Sequence, residues 1–86
     1  MRHLAVELAP RGINVNALSA GVVDTDALTH FPHRQEILNN SLIRTPAGRL
    51  VTPDDVADVA LFLCSPLAKM IHGQTITVDG GYAITA

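Results

Sequence analysis

Apolar residues recur at helical spacing at Leu4, Ala5 and Leu8, which predicts a helix over Met1–Ala9. Pro10-Arg11-Gly12 stops it, since both proline and glycine oppose continuation. The period then drops to two. Ile13 and Val15 alternate with Asn14 and Asn16, so Ile13–Leu18 reads as a short strand with one face suited to burial. Ser19 to Thr29 follows as a loop, and its start, Ser19-Ala20-Gly21, is so bare of side chains that something must approach the backbone closely. Pro32 suits the first position of a second helix, whose narrow stripe Ile37, Leu38 and Leu42 ends at Thr45-Pro46-Ala47-Gly48. The plainest helix start is Thr52-Pro53-Asp54-Asp55. Thr52 can cap free N–H groups, Pro53 is preset for the first turn, and two acids meet the positive end of the dipole. Val56, Val59, Ala60 and Leu63 then form a core-facing stripe, and Ser65-Pro66 closes the helix. Thr75–Val78 is a second strand, ended by the turn signal Asp79-Gly80-Gly81.

Strand, helices, strand is a β-α-β unit, which predicts parallel strands with a right-handed crossover. Ligands of such sheets lie at the carboxyl ends of the strands, where the loop after Leu18 stands. Two parallel strands are too few to stand alone. The expected fold class is therefore α/β, the edge of a larger parallel sheet.

Composition sharpens this picture in three respects. The chain has 86 residues, 48% hydrophobic and only 16% charged, a balance opposite to that of disordered segments. At this length a globule buries little more than about 60% of its unfolded surface. Only Phe31, Phe62 and Tyr82 are aromatic, so the core must be aliphatic, as in buried parallel sheets. A net charge of −2 with dispersed basic residues leaves no footprint for nucleic acid. No apolar run has the roughly 18 residues of a membrane span, and the N-terminus has no secretory h-region. Cys64 is the single cysteine, which excludes an internal disulfide and fits a reducing cytosol. A cytoplasmic location is expected.

Four ordered blocks carry a resemblance: LAVELAPRGINVNALSAGVVDT, TPAGRLVTPDDVADVALFL, GQTITV and the late DGG. Together they resemble the C-terminal third of a short-chain dehydrogenase/reductase, a Rossmann-like doubly wound enzyme that moves hydride between NAD(P)H and a substrate. Within that family, DTDALTHFPHR and RTPAGRLVTPDDVAD most resemble NADPH-dependent enoyl-[acyl-carrier-protein] reductases. The resemblance implies a cofactor-binding set of Gly21, Val23 and Thr25. Gly21 would let the backbone near the cofactor, main-chain groups of Val23 would hold the nicotinamide carboxamide, and Thr25 would reach the carboxamide or pyrophosphate. Ala20 stands where the family usually has proline, which loosens the turn. Residues 26–45 match the segment that closes over substrate, so Leu28, Phe31, Leu38 and Leu42 would offer an apolar wall to an acyl thioester. The resemblance makes residues 1–86 a segment without the N-terminal dinucleotide-binding half.

The family's tyrosine–lysine pair and its glycine-rich phosphate loop are not in these 86 residues. Lys69 is the only lysine and Tyr82 the only tyrosine, in the reverse of the required order. No catalytic residue is therefore assigned, and the chain alone is expected to be inactive. Other polar features have plainer readings. Asp24 and Asp26 lack a third metal ligand, and the proline inside His30-Phe31-Pro32-His33 spoils helical ligand spacing. Cys64 reads as a small buried hydrophobe, and Asp54 and Asp55 as helix-start charges. The alternatives to an enoyl reductase are a 3-oxoacyl thioester reductase, a sugar dehydrogenase, or a non-catalytic assembly module. Self-association, or association with a full-length relative, is expected, because an unpaired strand edge invites pairing.

Overall fold

A computed structural model describes residues 1–23 and 31–85 of the chain. The elements run α1 (Arg2–Leu8), β1 (Ala17–Ala20), α2 (Arg34–Ile43), α3 (Pro53–Leu63) and β2 (Thr75–Val78). Short 3-10 turns occupy Ala9–Arg11, Pro66–Ala68 and Tyr82–Thr85. β1 and β2 are parallel, with Ala17 opposite Thr75 and Ala20 opposite Val78. The expected β-α-β arrangement is thus present, and α3 packs on both strands.

The first strand lies later than its alternation predicts: it spans Ala17–Ala20, not Ile13–Leu18. Side chains explain the difference. Asn14 Nδ2 donates to the carbonyls of Ala68 and Ile71 at 3.0 and 3.1 Å. Asn16 Nδ2 donates to Ile71 O at 2.9 Å, and Asn16 Oδ1 accepts from Gln74 N at 3.0 Å. The polar half of the alternation therefore clamps the segment leading into β2 and does not line a solvent face. Ile13, expected on a buried surface, is exposed. Ser19 and Ala20 belong to the strand, so the loop starts later than its composition suggests.

α1 begins at Arg2 and tightens into a 3-10 turn around Pro10, where Gly12 adopts φ +75°. α2 starts at Arg34, two residues beyond Pro32. α3 follows its sequence signals closely. Thr52 Oγ1 accepts from Asp55 N at 3.2 Å while the Asp55 carboxylate accepts from Thr52 N at 2.8 Å, a reciprocal capping box. Its predicted stripe, Val56, Val59, Ala60 and Leu63, is half-buried, whereas Leu61 is exposed. α3 ends at Leu63, and Cys64 stands exposed in the turn beyond it, which corrects the expectation of a buried thiol. The helix stops before Cys64 can rotate onto the packed face.

Asp55 does more than face the helix dipole. Arg49 grips it with two bonds of 2.6 and 3.0 Å, and with the Thr52 N–H this holds the carboxyl well below the usual aspartate range. Because the folded-state pKa is depressed, the contribution is present at neutral pH and is lost as pH falls below the ordinary value of 3.8. Helical circular dichroism titrated from pH 6 to 2 is expected to fall below about pH 4, and Asp55→Asn is expected to flatten that step.

The apolar residues buried below a tenth exposure, among those described, are Ala5, Leu38, Val51 and Ala68. Val6, Ile43, Leu61, Leu67, Met70 and Ile84 are each at least 70% exposed. A sheet of two strands cannot cover the apolar surface that an 86-residue chain of this composition carries. No described helix is long and apolar enough to cross a membrane.

Candidate functional site

The parallel sheet directs both strand ends to one edge, and the turn after β2 organises it. Asp79 Oδ1 accepts from Gly81 N at 2.8 Å and Oδ2 from Ala83 N at 2.9 Å. This carboxylate shapes the Gly80-Gly81 turn, where both glycines have positive φ. Gly21 extends the ladder by donating from its N–H to Val78 O at 3.0 Å. A Cβ placed on Gly21 would stand 2.9 Å from Asp79 Cβ. What approaches the bare turn in this structure is thus the backbone and Cβ of Asp79. Gly21→Ala is expected to cost about 1–3 kcal/mol through that contact, measured as a lower urea midpoint with or without added dinucleotide.

Val23 forms an isolated parallel bridge with Val51, which is buried, so the chain leaving β1 is tied to the approach to α3. A cavity of about 280 Å³ opens beside it on the α3 side, between Val51, Val59, Val78 and Gly80, with the Arg49–Asp55 pair at its lining. Gly21, Val22 and Val23 are each half-buried. This is partly open backbone just beyond the carboxyl end of a parallel strand. Ligands of parallel sheets lie at this end of the strands; here the Gly21 amide is bonded to Val78 O and Val23 is bridged to Val51.

The expected acyl wall separates into different environments. Leu38 is 8% exposed and anchors α2, while Leu42 and Phe31 are 42% and 54% exposed. Leu42 and Phe31 are thus exposed in this structure, whereas Leu38 is buried on α2. Thr25 and Leu28 lie outside the described residues, as do Asp24, Asp26 and His30.

Two contacts escape the sequence reading. The helix breaker Thr45-Pro46-Ala47 and the turn Gly80-Gly81 pack against each other. Ala47 N donates to Gly80 O at 3.0 Å, and a Cβ on Gly80 would stand 2.7 Å from Thr45 Cγ2. Consecutive glycines that each need a small neighbour were the available signal. In addition, Tyr82 lies beneath the Arg44 guanidinium, 4.8 Å from ring centre to Cζ, and its oxygen accepts from Arg44 Nη1 at 3.2 Å. The only tyrosine thus has a structural partner at the end of α2.

The family pattern described as enoyl-(acyl carrier protein) reductase matches residues 1–83. Galactitol 2-dehydrogenase (L-tagatose-forming) of Cereibacter sphaeroides is 43% identical over 96% of this chain and 33% of its own length. Enoyl-[acyl-carrier-protein] reductase [NADH] FabI of Buchnera aphidicola is 42% identical over the whole chain and 33% of its own length. A crystal structure described as a putative 2-deoxy-D-gluconate 3-dehydrogenase from Agrobacterium tumefaciens with bound NADP superposes with a TM-score of 0.79. It is 40% identical, over 96% of this chain and 34% of that one. The chain spans about a third of the length of the curated relatives it matches.

Proposed function

The chain belongs to the short-chain dehydrogenase/reductase family, and from that membership we propose that it forms the nicotinamide-side wall and substrate-covering segment of an NADPH-dependent enoyl-thioester reductase. The observation that carries this reading is the half-buried Gly21–Val23 run at the carboxyl end of β1. Main-chain groups of Val23 are proposed to hold the carboxamide, with Thr25 beside them. Gly21 acts by letting Asp79 close the strand end. NADPH, when bound, supplies hydride for the β-carbon of the enoyl thioester. The task of this chain is to fix the ring plane and border the acyl group, since transfer requires one defined face against the substrate. Phe31 and Leu42, both exposed, would meet the acyl chain, with Leu28 completing that side. The tyrosine that assists protonation or polarises the thioester carbonyl would come from sequence upstream of the Met1 helix.

A second reading, oxidation of a sugar alcohol, is favoured by the 43% identity to the galactitol enzyme. A chimera separates the two: this chain replaces the corresponding third of the Buchnera reductase. The chimera, with the NADH-binding half of its host, is expected to reduce a crotonyl thioester with NADH at least tenfold faster than an acetoacetyl thioester, with no oxidation of galactitol. Galactitol oxidation, or preference for the 3-oxoacyl thioester, would reassign the substrate. The exposed apolar surface and the open edge of β1 are further proposed to be covered by more chain of the same family, in a homo-oligomer or with a full-length relative. Gel filtration of the chain, alone and mixed with such a relative, reads this directly.

A further inference from the structure

The end of α2 is held by the C-terminal turn. Arg44, the residue closing α2, places its guanidinium over the Tyr82 ring and donates to the Tyr82 oxygen. Thr85 Oγ1 reaches back to Arg44 O at 3.3 Å and to Tyr82 O at 2.7 Å. One step further, Gly80 and Gly81 receive Thr45, Pro46 and Ala47 without room for a Cβ. The turn is itself fixed by the Asp79 carboxylate, on the residue that meets Gly21. One short segment therefore ties the exit of α2 to the ends of both strands.

We propose that Tyr82 is a positioning residue, which through Arg44 fixes the last turn of α2 and thereby the placement of Leu42 against the acyl part of the substrate. This rests on the reading of α2 as part of the substrate wall. The effect of Tyr82 passes through the Arg44 guanidinium. The contact has two separable parts: the ring face attracts the cation, and the phenol oxygen accepts one hydrogen bond. Tyr82→Phe keeps the first and removes the second, whereas Tyr82→Ala removes both.

The test is amide hydrogen exchange on the full 86-residue chain, with β2 as internal reference. Tyr82→Ala is expected to speed exchange at Leu42 to Thr45 by about two- to fivefold, the size of an exposed cation–π contact. Exchange in β2 should stay unchanged, Tyr82→Phe should fall between the two, and Arg44→Ala should match Tyr82→Ala with no further effect in the double variant. Because Tyr82 is the only tyrosine and the chain has no tryptophan, its fluorescence in the Arg44→Ala chain reports the same contact independently. In the Buchnera chimera, Tyr82→Ala should raise KM for the crotonyl thioester about two- to fivefold while KM for NADH holds. Unchanged α2 exchange, or α2 and β2 loosening together, would overturn the positioning role. Loosened α2 with an unmoved thioester KM would place the failure in the substrate-wall reading and overturn the proposal there.

Discussion

Gly80→Ala is expected to abolish cooperative folding of the chain. Gly80 has φ +65°, and a Cβ there would lie 2.7 Å from Thr45 Cγ2 and 3.1 Å from Ala47 Cβ. The left-handed conformation costs about 1–2 kcal/mol for a residue with a side chain. Forcing a methyl into a filled contact adds about 1–3 kcal/mol. The two segments cannot simply part, because Ala47 N donates to Gly80 O across the same contact. A chain with so few buried apolar side chains has little reserve against such a loss. Gly48→Ala is the matched control. Its φ is +80°, but nothing lies within 4 Å of the added carbon, so only the conformational cost of about 1–2 kcal/mol applies. Urea titrations followed at 222 nm should show a clear midpoint shift for Gly48→Ala and no cooperative transition for Gly80→Ala. Equal behaviour of the two would mean that the breaker and the glycine turn are not in contact.

Element identity was largely legible in the sequence, and element edges were legible where local chemistry sets them. Thr52-Pro53-Asp54-Asp55 marks its helix to the residue, because capping and the first-turn proline act within four positions. Thr75–Val78 is likewise read at its true bounds. The first strand was misplaced because Asn14 and Asn16 look like the solvent half of an alternation, while their partners stand more than fifty residues away. No local pattern signals such a clamp. The meaning of Gly21 shifted for the same reason. Its bareness is visible in sequence, but the group that needs the space, Asp79, arrives from the far end of the chain. The docking of Pro46 on Gly81 and of Arg44 on Tyr82 also joins segments that sequence reading treats as separate punctuation.

Val23→Pro is expected to raise KM for NADH about tenfold or more in the chimera, while Val23→Ala changes it less than about twofold. The proposed contact uses main-chain groups, so the identity of the side chain matters little and the N–H matters greatly. Proline removes that N–H and fixes φ, leaving the carboxamide oxygen without its donor. The Val23–Val51 bridge must survive for this comparison to be read, so thermal midpoints of both variants belong beside the kinetics. A tenfold effect of alanine, or none of proline at an unchanged midpoint, would move the carboxamide contact elsewhere.

The most direct measurement of the central claim is oxidation of NADH or NADPH with a crotonyl thioester, run in parallel on the 86-residue chain and on the chimera with the Buchnera enzyme, whose own half takes NADH. The proposed division of the site predicts saturable turnover by the chimera and none by the chain alone, whose only lysine and tyrosine, Lys69 and Tyr82, stand in the wrong order for the family's pair. Turnover by the 86-residue chain itself, or a folded chimera that binds NADH yet reduces no thioester, would contradict it.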